Sequence, residues 1–341
     1  MKLKFWGVRG SIPSPDYTAD AKWKLTQILE AARSASLGGP RDIDDFIAAL
    51  PPRLLYPVGD NTPCVEISSG DDHLIVDAGS GLRKLGLELS PNPSFSESDL
   101  YLAMESGHDL GPAGEDPEEE ARLDLNILVS HTHWDHIQGF PFFAPAFVPG
   151  NRLSFYGLDR THLSWAFKLQ QSAPGLFPIA LEEMPADISF NSLPDGGLQF
   201  GALEVRGFLL PHPGGSLAFR VNCGGKSIVY ATDYEFPSVD DEAAGRFVDF
   251  IREADILISD TQYTYLESVA REGWGHSTSF SAIDLAMRGG VKSFFLFHHD
   301  PEHSDLKLYD NLEKTRAYYQ MMSERGTMKI ELASEGAVCE I

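Results

Sequence analysis

Leu125-Asn126-Ile127-Leu128-Val129-Ser130-His131-Thr132-His133-Trp134-Asp135-His136 joins an apolar run directly to three imidazoles and a carboxylate. Histidines this close together are costly to desolvate, and they repel one another on protonation unless a cation organises them. The stretch therefore reads as a buried strand that ends at a metal site.

The same pattern recurs along the chain. His212 follows Phe208-Leu209-Leu210-Pro211, Asp233 follows Ile228-Val229-Tyr230-Ala231-Thr232, and His298 follows Phe294-Phe295-Leu296-Phe297, with His299 as its neighbour and rival. A single buried histidine is ordinarily a hydrogen-bonded core residue. Four ligand-bearing stretches, each at the end of an apolar strand, are a different matter, because strand ends on one edge of a sheet converge in space.

Further strands are expected at Leu3–Val8, Cys64–Ile67, Leu74–Asp77, Leu153–Tyr156, Leu217–Val221, Ile256–Ser259 and Ser293–Phe297. Met328–Leu332 and Ala337–Ile341, separated by Ala333-Ser334-Glu335-Gly336, read as a closing hairpin. Helices are expected at Ala21–Ala32, Ile43–Ala49, Ser164–Gln170, Asp241–Arg252, Phe280–Arg288 and Leu306–Glu324. Blocks of strands with helices between and after them suit an α/β fold of two packed mixed sheets with helices on the outer faces, better than a doubly wound parallel sheet. One domain over 1–341 carries two insertions. Residues 14–58 form a helical one, a cap over the site or a surface decoration; residues 90–122 form an acidic, solvated loop.

Bulk composition narrows the function classes. A hydrophobic content of 43% over 341 residues supports a large core. A formal charge of −23 disfavours a long nucleic-acid partner, which is gripped mainly by Lys and Arg. Three scattered cysteines, Cys64, Cys223 and Cys339, are too few for a disulfide framework or a thiolate zinc site. With no apolar run of membrane-spanning length and no apolar segment after MKLKFWGVRG, the expectation is a soluble cytoplasmic protein with no membrane partner, a homodimer being left open.

Together these stretches resemble the metallo-β-lactamase-fold hydrolases. The likeness runs through Gly7–Ser11, Gly59–Ile67, Ile75–Gly81, the HTHWDH run, His212, Thr232-Asp233 and Phe297–Pro301. It implies an αββα sandwich and two divalent ions, zinc or manganese with iron also suited to the donors. One ion would be held by His131, His133 and His212, the other by Asp135, His136 and His298, with Asp233 shared and Asp77 supporting from behind. Cys223 does not stand where the antibiotic-cleaving members carry a cysteine ligand. Trp134 replaces the glutamate of the oxygen-reducing members, and His212-Pro213-Gly214-Gly215 lacks the second histidine of the thioesterases.

A second segment resembles tRNase Z and its small-substrate phosphodiesterase relatives. There an acid after a strand pairs with a histidine before a helix, and Asp260 and His276 match those positions, with aspartate where tRNase Z carries glutamate. The resemblance implies hydrolysis of a small or cyclic phosphodiester by a hydroxide held between two metals. Asp135 would help orient the hydroxide, and His276, held by Asp260, would protonate the leaving oxygen. Ser277 or Thr278 would cap the following helix. Trp134, Phe142, Tyr263 and Trp274 are candidates to stack on a base, with ordinary packing the simpler reading. Arg9 and Asn61 are candidate phosphate contacts. The alternatives are a tRNA 3′-processing endonuclease, a hydrolase of lactones, thioesters or β-lactams, and a non-catalytic metal-binding scaffold or sensor. The endonuclease would need a basic arm. Arg152, Arg160, Lys168 and Arg206 are dispersed and do not form one.

Overall fold

The computed structural model describes residues 1–14, 18–35, 39–89, 122–172, 175–323 and 326–341. The acidic insertion, apart from Arg122, lies outside the described residues. Two seven-stranded sheets pack face to face, with helices outside each.

The first sheet has the order β14 (Val338–Glu340), β1 (Lys2–Gly7), β2 (Cys64–Ser69), β3 (Asp72–Val76), β4 (Asp124–Leu128), β5 (Arg152–Gly157), β6 (Asp187–Ser192). The second has the order β13 (Lys329–Leu332), β12 (Ser293–Phe297), β11 (Ile256–Asp260), β10 (Lys226–Ala231), β9 (Ser216–Cys223), β8 (Leu203–Leu210), β7 (Leu198–Phe200). Both are mixed. β3 through β6 are parallel in the first sheet, and β10 through β13 in the second.

The apolar runs are continuous because both faces of the central strands are buried. In β12, Phe295 and Phe297 face the other sheet while Phe294 and Leu296 face the outer helices. β11 divides likewise, with Ile256 and Ile258 inward and Leu257 outward. Helices α4 (Gly81–Leu89) and α5 (Arg160–Gln170) cover the first sheet; α6 (Glu242–Phe250), α8 (Ser279–Gly289) and α9 (Asp305–Met322) cover the second. The short α7 (Tyr265–Ala270) precedes the His276 segment.

Between β1 and β2 lie α1 (Thr18–Ser34), α2 (Pro40–Ala49) and α3 (Pro52–Leu55). Helix α1 is tied to the start of α9, where the Asp20 carboxylate accepts the Asp305 and Leu306 amides and Lys24 pairs with Asp305 at 2.6 Å.

The C-terminal pair is not a hairpin. β13 closes the second sheet against β12, whereas β14 closes the first against β1, with Leu3 opposite Cys339. The turn between them crosses from one sheet to the other, and the Gly336 amide donates to the Phe5 carbonyl there.

Candidate metal centre and acid pair

Parallel strands bring their carboxyl ends to one edge, and the expected residues collect there. Asp233, Asp260 and His298 stand at the ends of β10, β11 and β12, and His131 to His136 follow β4. Six imidazoles form a closed ring. Centroid separations are 4.5 Å for His131–His133, 4.8 Å for His133–His212, 5.4 Å for His212–His276, 5.1 Å for His276–His298, 5.3 Å for His298–His136 and 4.3 Å for His136–His131. Asp233 touches several of them, lying 3.3 Å from both His136 and His298, and 3.7 Å from His131.

Hydrogen bonds behind the ring fix which nitrogen each histidine presents. His136 is held through Nδ1 by Asp77 at 2.8 Å, His212 through Nδ1 by the Gly275 carbonyl at 2.9 Å, and His298 through Nδ1 by Gln262 Oε1 at 3.1 Å. Ser130 Oγ lies 3.1 Å from His131 Nδ1. Each of these four leaves its Nε2 facing inward, the arrangement in which outer partners set the tautomer and orientation of a ligand. Asp77 is anchored in turn, accepting from the Tyr230 hydroxyl at 2.6 Å and the Ser130 amide at 2.7 Å.

Two glycines permit the close approach. A Cβ on Gly10 would lie 2.5 Å from the His298 ring, and one on Gly275 would lie 2.3 Å from His212 Nδ1.

The donor set suits a divalent cation. His131, His133 and His212 offer ligand atoms within 4.8 Å of one another, as do Asp135, His136 and His298, and as do His131, His136 and Asp233. His131 Nε2 is buried with no hydrogen-bond partner among the described residues, a cost that a bound cation would remove. Burial pushes the His131 imidazole well below its usual range, with His136 nearby adding to the effect, so it stays a neutral donor. Asp233 stays ionised: burial would raise it, but His298, His136 and His131 hold it well below the usual carboxylate range. Nitrogen and carboxylate oxygen donors fit zinc, manganese or iron.

His299, the rival to His298, turns away and donates to the Ala333 carbonyl at 2.9 Å. Burial, with Arg9 nearby, lowers it to about 3.

His276 Nδ1 lies 2.8 Å from Asp260 Oδ2. Burial alone would lower this imidazole, but the charge and hydrogen bond of Asp260, with Asp233 and Asp135 beyond, raise it to about 9. Asp260 also accepts the amides of Asp233, Gln262 and Ser277, so one carboxylate ties three loops of the site together. Thr278, not Ser277, caps α8.

Other candidates serve the frame. Arg9 is buried and donates to the carbonyls of Gly59, Asp300 and His303, so it is not free for a substrate. Asn61 donates to Glu335 and accepts from Ser80. Tyr263 is buried and Phe142 packs on Phe177, whereas Trp134 and Trp274 are 64% and 61% exposed. The roles of Ser130, Tyr230, Gln262 and the Gly275 carbonyl have no motif in the sequence to mark them. Only Gln262, two residues beyond Asp260 at a strand end, carried a local hint.

A family model described as a beta-lactamase superfamily domain matches residues 92–299. A Ribonuclease Z of Picrophilus torridus is 37% identical over 92 residues, which is 27% of this chain and 27% of that protein. A Ribonuclease Z of Acaryochloris marina is 25% identical over 226 residues, covering 52% of this chain and 69% of its own length. Among solved structures, the metallo-beta-lactamase fold protein YhfI from Bacillus subtilis superposes with a TM-score of 0.60 at 18% identity, covering 100% of this chain and 98% of that one. The short form of human tRNase Z gives 0.57 at 15% (100% and 99% covered), and a diphosphatase from the PhnP family gives 0.55 at 15% (100% and 97%). These superpositions show a shared fold.

Proposed function

The chain belongs to the beta-lactamase superfamily, and we propose that within it the chain is a metal-dependent hydrolase of small phosphodiesters, cyclic nucleotides among them. In this reading His131, His133 and His212 hold one divalent cation, Asp135, His136 and His298 hold a second, and Asp233 is shared. Such cations would supply Lewis acidity to a phosphoryl oxygen and a water ionised at neutral pH.

The remaining work falls to the chain. Asp135, whose Oδ2 accepts the Ser11 amide at 2.7 Å and lies 3.2 Å from His298, orients the attacking water. His276 enters as the imidazolium and gives its Nε2 proton to the departing oxygen, while Asp260 holds the ring at Nδ1.

The observation that carries the reading is the His276–Asp260 pair, an imidazole held by a carboxylate within the ring of candidate ligands. An alkoxide leaving group needs such a donor. The names of the matched relatives, Ribonuclease Z, point to the same bond type. They also favour a second reading, an RNA-processing nuclease, against which stands the −23 charge.

The test is a substrate panel for zinc- or manganese-reconstituted protein: bis-p-nitrophenyl phosphate, cyclic nucleotides, nitrocefin, a lactone and a tRNA precursor. Release from the small phosphodiesters alone is expected. Turnover of nitrocefin or the lactone alone would overturn the proposal, and cleavage confined to the tRNA precursor would favour the nuclease.

A further inference from the structure

We propose that the cleft on the His131–His133 side of the centre receives the substituent that stays on phosphorus, and that it selects an uncharged apolar or aromatic group. This deepens the phosphodiesterase reading and rests on it.

A cavity of about 480 Å³ opens beside the ring of imidazoles, within the size range of small-molecule sites. Ser130 to His133 are among its lining residues, so it is continuous with the centre. Leu158, Leu163 and Pro213 supply apolar walls, and Gly214 and Gly215 contribute no side chain that would fill it. Leu158 follows β5 and is 49% exposed, an aliphatic side chain left open at the mouth of a polar site.

Charge sets the class of group. Among the described residues none that lines it is Lys or Arg, so these side chains offer a second phosphate or a carboxylate no basic counter-ion. The one carboxylate there, Asp159, caps α5 by accepting the His162 amide at 2.7 Å, and it would repel such a group. The polar pair beside them, Thr132 Oγ1 and His162 Nε2 at 2.9 Å, offers hydrogen bonds suited to orienting a ring.

Position sets the role. Around the ring of imidazoles, His276 is separated from His133 by His212. A leaving oxygen facing His276 leaves the other ester arm free to point toward His131 and His133. That arm is the one retained on phosphorus.

The experiment uses two esters with one leaving group, phenyl p-nitrophenyl phosphate and methyl p-nitrophenyl phosphate, and metal-reconstituted full-length protein. The phenyl ester is expected to show kcat/KM about tenfold or more above the methyl ester, the scale of one well-buried apolar contact. Leu158→Glu should bring the ratio within about twofold through KM, with kcat and metal content retained, as loss of uniform binding requires. Leu158→Ala should fall between. A wild-type ratio near one, or a ratio unchanged in Leu158→Glu, overturns the proposal.

If neither ester is hydrolysed, the phosphodiesterase reading fails separately. The cleft is then read by calorimetry with phenyl methyl phosphate against dimethyl phosphate. A preference for the aryl ester that Leu158→Glu abolishes supports the subsite, and equal or no binding of the two overturns it.

Discussion

Removing the His276 imidazole separates its role as acid from the metal chemistry around it. With the imidazole raised to about 9, roughly a hundred protonated molecules exist for each neutral one at pH 7. The group is therefore poised to donate, and a positioned acid contributes about 10²- to 10⁴-fold to rate. That contribution is needed in proportion to the basicity of the leaving oxygen. His276→Ala is expected to slow an alkyl phosphodiester by about 10²-fold or more, while a nitrophenyl ester, whose leaving group departs unprotonated, slows by less than about tenfold. His276 bonds Asp260 and is outside the seven proposed ligands, so metal content should hold at the wild-type value. The pH profile supplies a second signature. Wild-type turnover of the alkyl ester should fall as pH rises through about 9, where the imidazolium loses its proton, and that limb should vanish in the variant. The assay is steady-state hydrolysis of both esters with elemental analysis of each preparation. Equal slowing of the two esters, or loss of metal from His276→Ala, refutes the assignment.

Asp233→Ala should lower metal stoichiometry below two per chain by elemental analysis, because its oxygens lie within 3.7 Å of His131, His136 and His298; an unchanged stoichiometry would reject it as the shared ligand. Asp77→Asn should weaken metal affinity by about 10- to 100-fold in a chelator competition, through the Nδ1 bond of His136; wild-type affinity would show that this contact tunes nothing. Asp60, crowded by burial and by Glu335, is raised to about 6, and its Oδ1 has no hydrogen-bond partner among the described residues. The folded state therefore holds a proton that the unfolded state has lost between pH 4 and 6, and stability falls as pH rises through that window. Asp60→Asn should gain about 1 kcal/mol at pH 7.5 after discounting for solvent screening, and nothing at pH 4, in denaturant titrations at both pH values. A gain of equal size at both would rule out the charge as its cause.

Much of the centre was legible because each proposed ligand follows an apolar strand, and parallel strands bring their ends together whatever the intervening loops do. What stayed hidden depends on non-local pairing. β6 and β7 were missed because Asp187–Ser192 is only half-buried and polar in part, and Leu198–Phe200 is three residues long at a sheet edge. The turn at Ser334 to Gly336 looks like a hairpin loop, and Gly336 has the positive φ, 78°, that such a loop accepts. Its strands nonetheless part, because β14 finds its partner in β1 at the opposite end of the chain. Helix α4 was obscured by Gly86, a poor helix former. It is there because a Cβ would lie 2.7 Å from the Phe143 ring. Tyr230 reads as a core aromatic within Ile228–Ala231, and nothing nearby in sequence says that its hydroxyl crosses to Asp77 on the other sheet.

The backbone at the strand ends explains how the fold sustains the site. Asp77, Asp233 and His298 all adopt left-handed conformations, with φ of 62°, 58° and 59°. A non-glycine residue pays about 1 kcal/mol or more for that geometry, so something must hold each one there. Asp77 and Asp233 are bound at several points, Asp77 by Ser130, His136 and Tyr230, and Asp233 through its amide by Asp260 and through its carboxylate by Thr232. His298 is gripped at Nδ1 by Gln262 and closed in by Gly10. At Asp77 and His298 the left-handed turn comes directly after a strand, and at Asp233 one residue later. Of the seven proposed ligands, Asp233 and His298 share this geometry. It also dictates how the centre should be probed: Asn tolerates the left-handed region, so Asp77→Asn removes charge with little backbone penalty, whereas Asp77→Ala would add strain to the lost bonds and confuse metal affinity with folding.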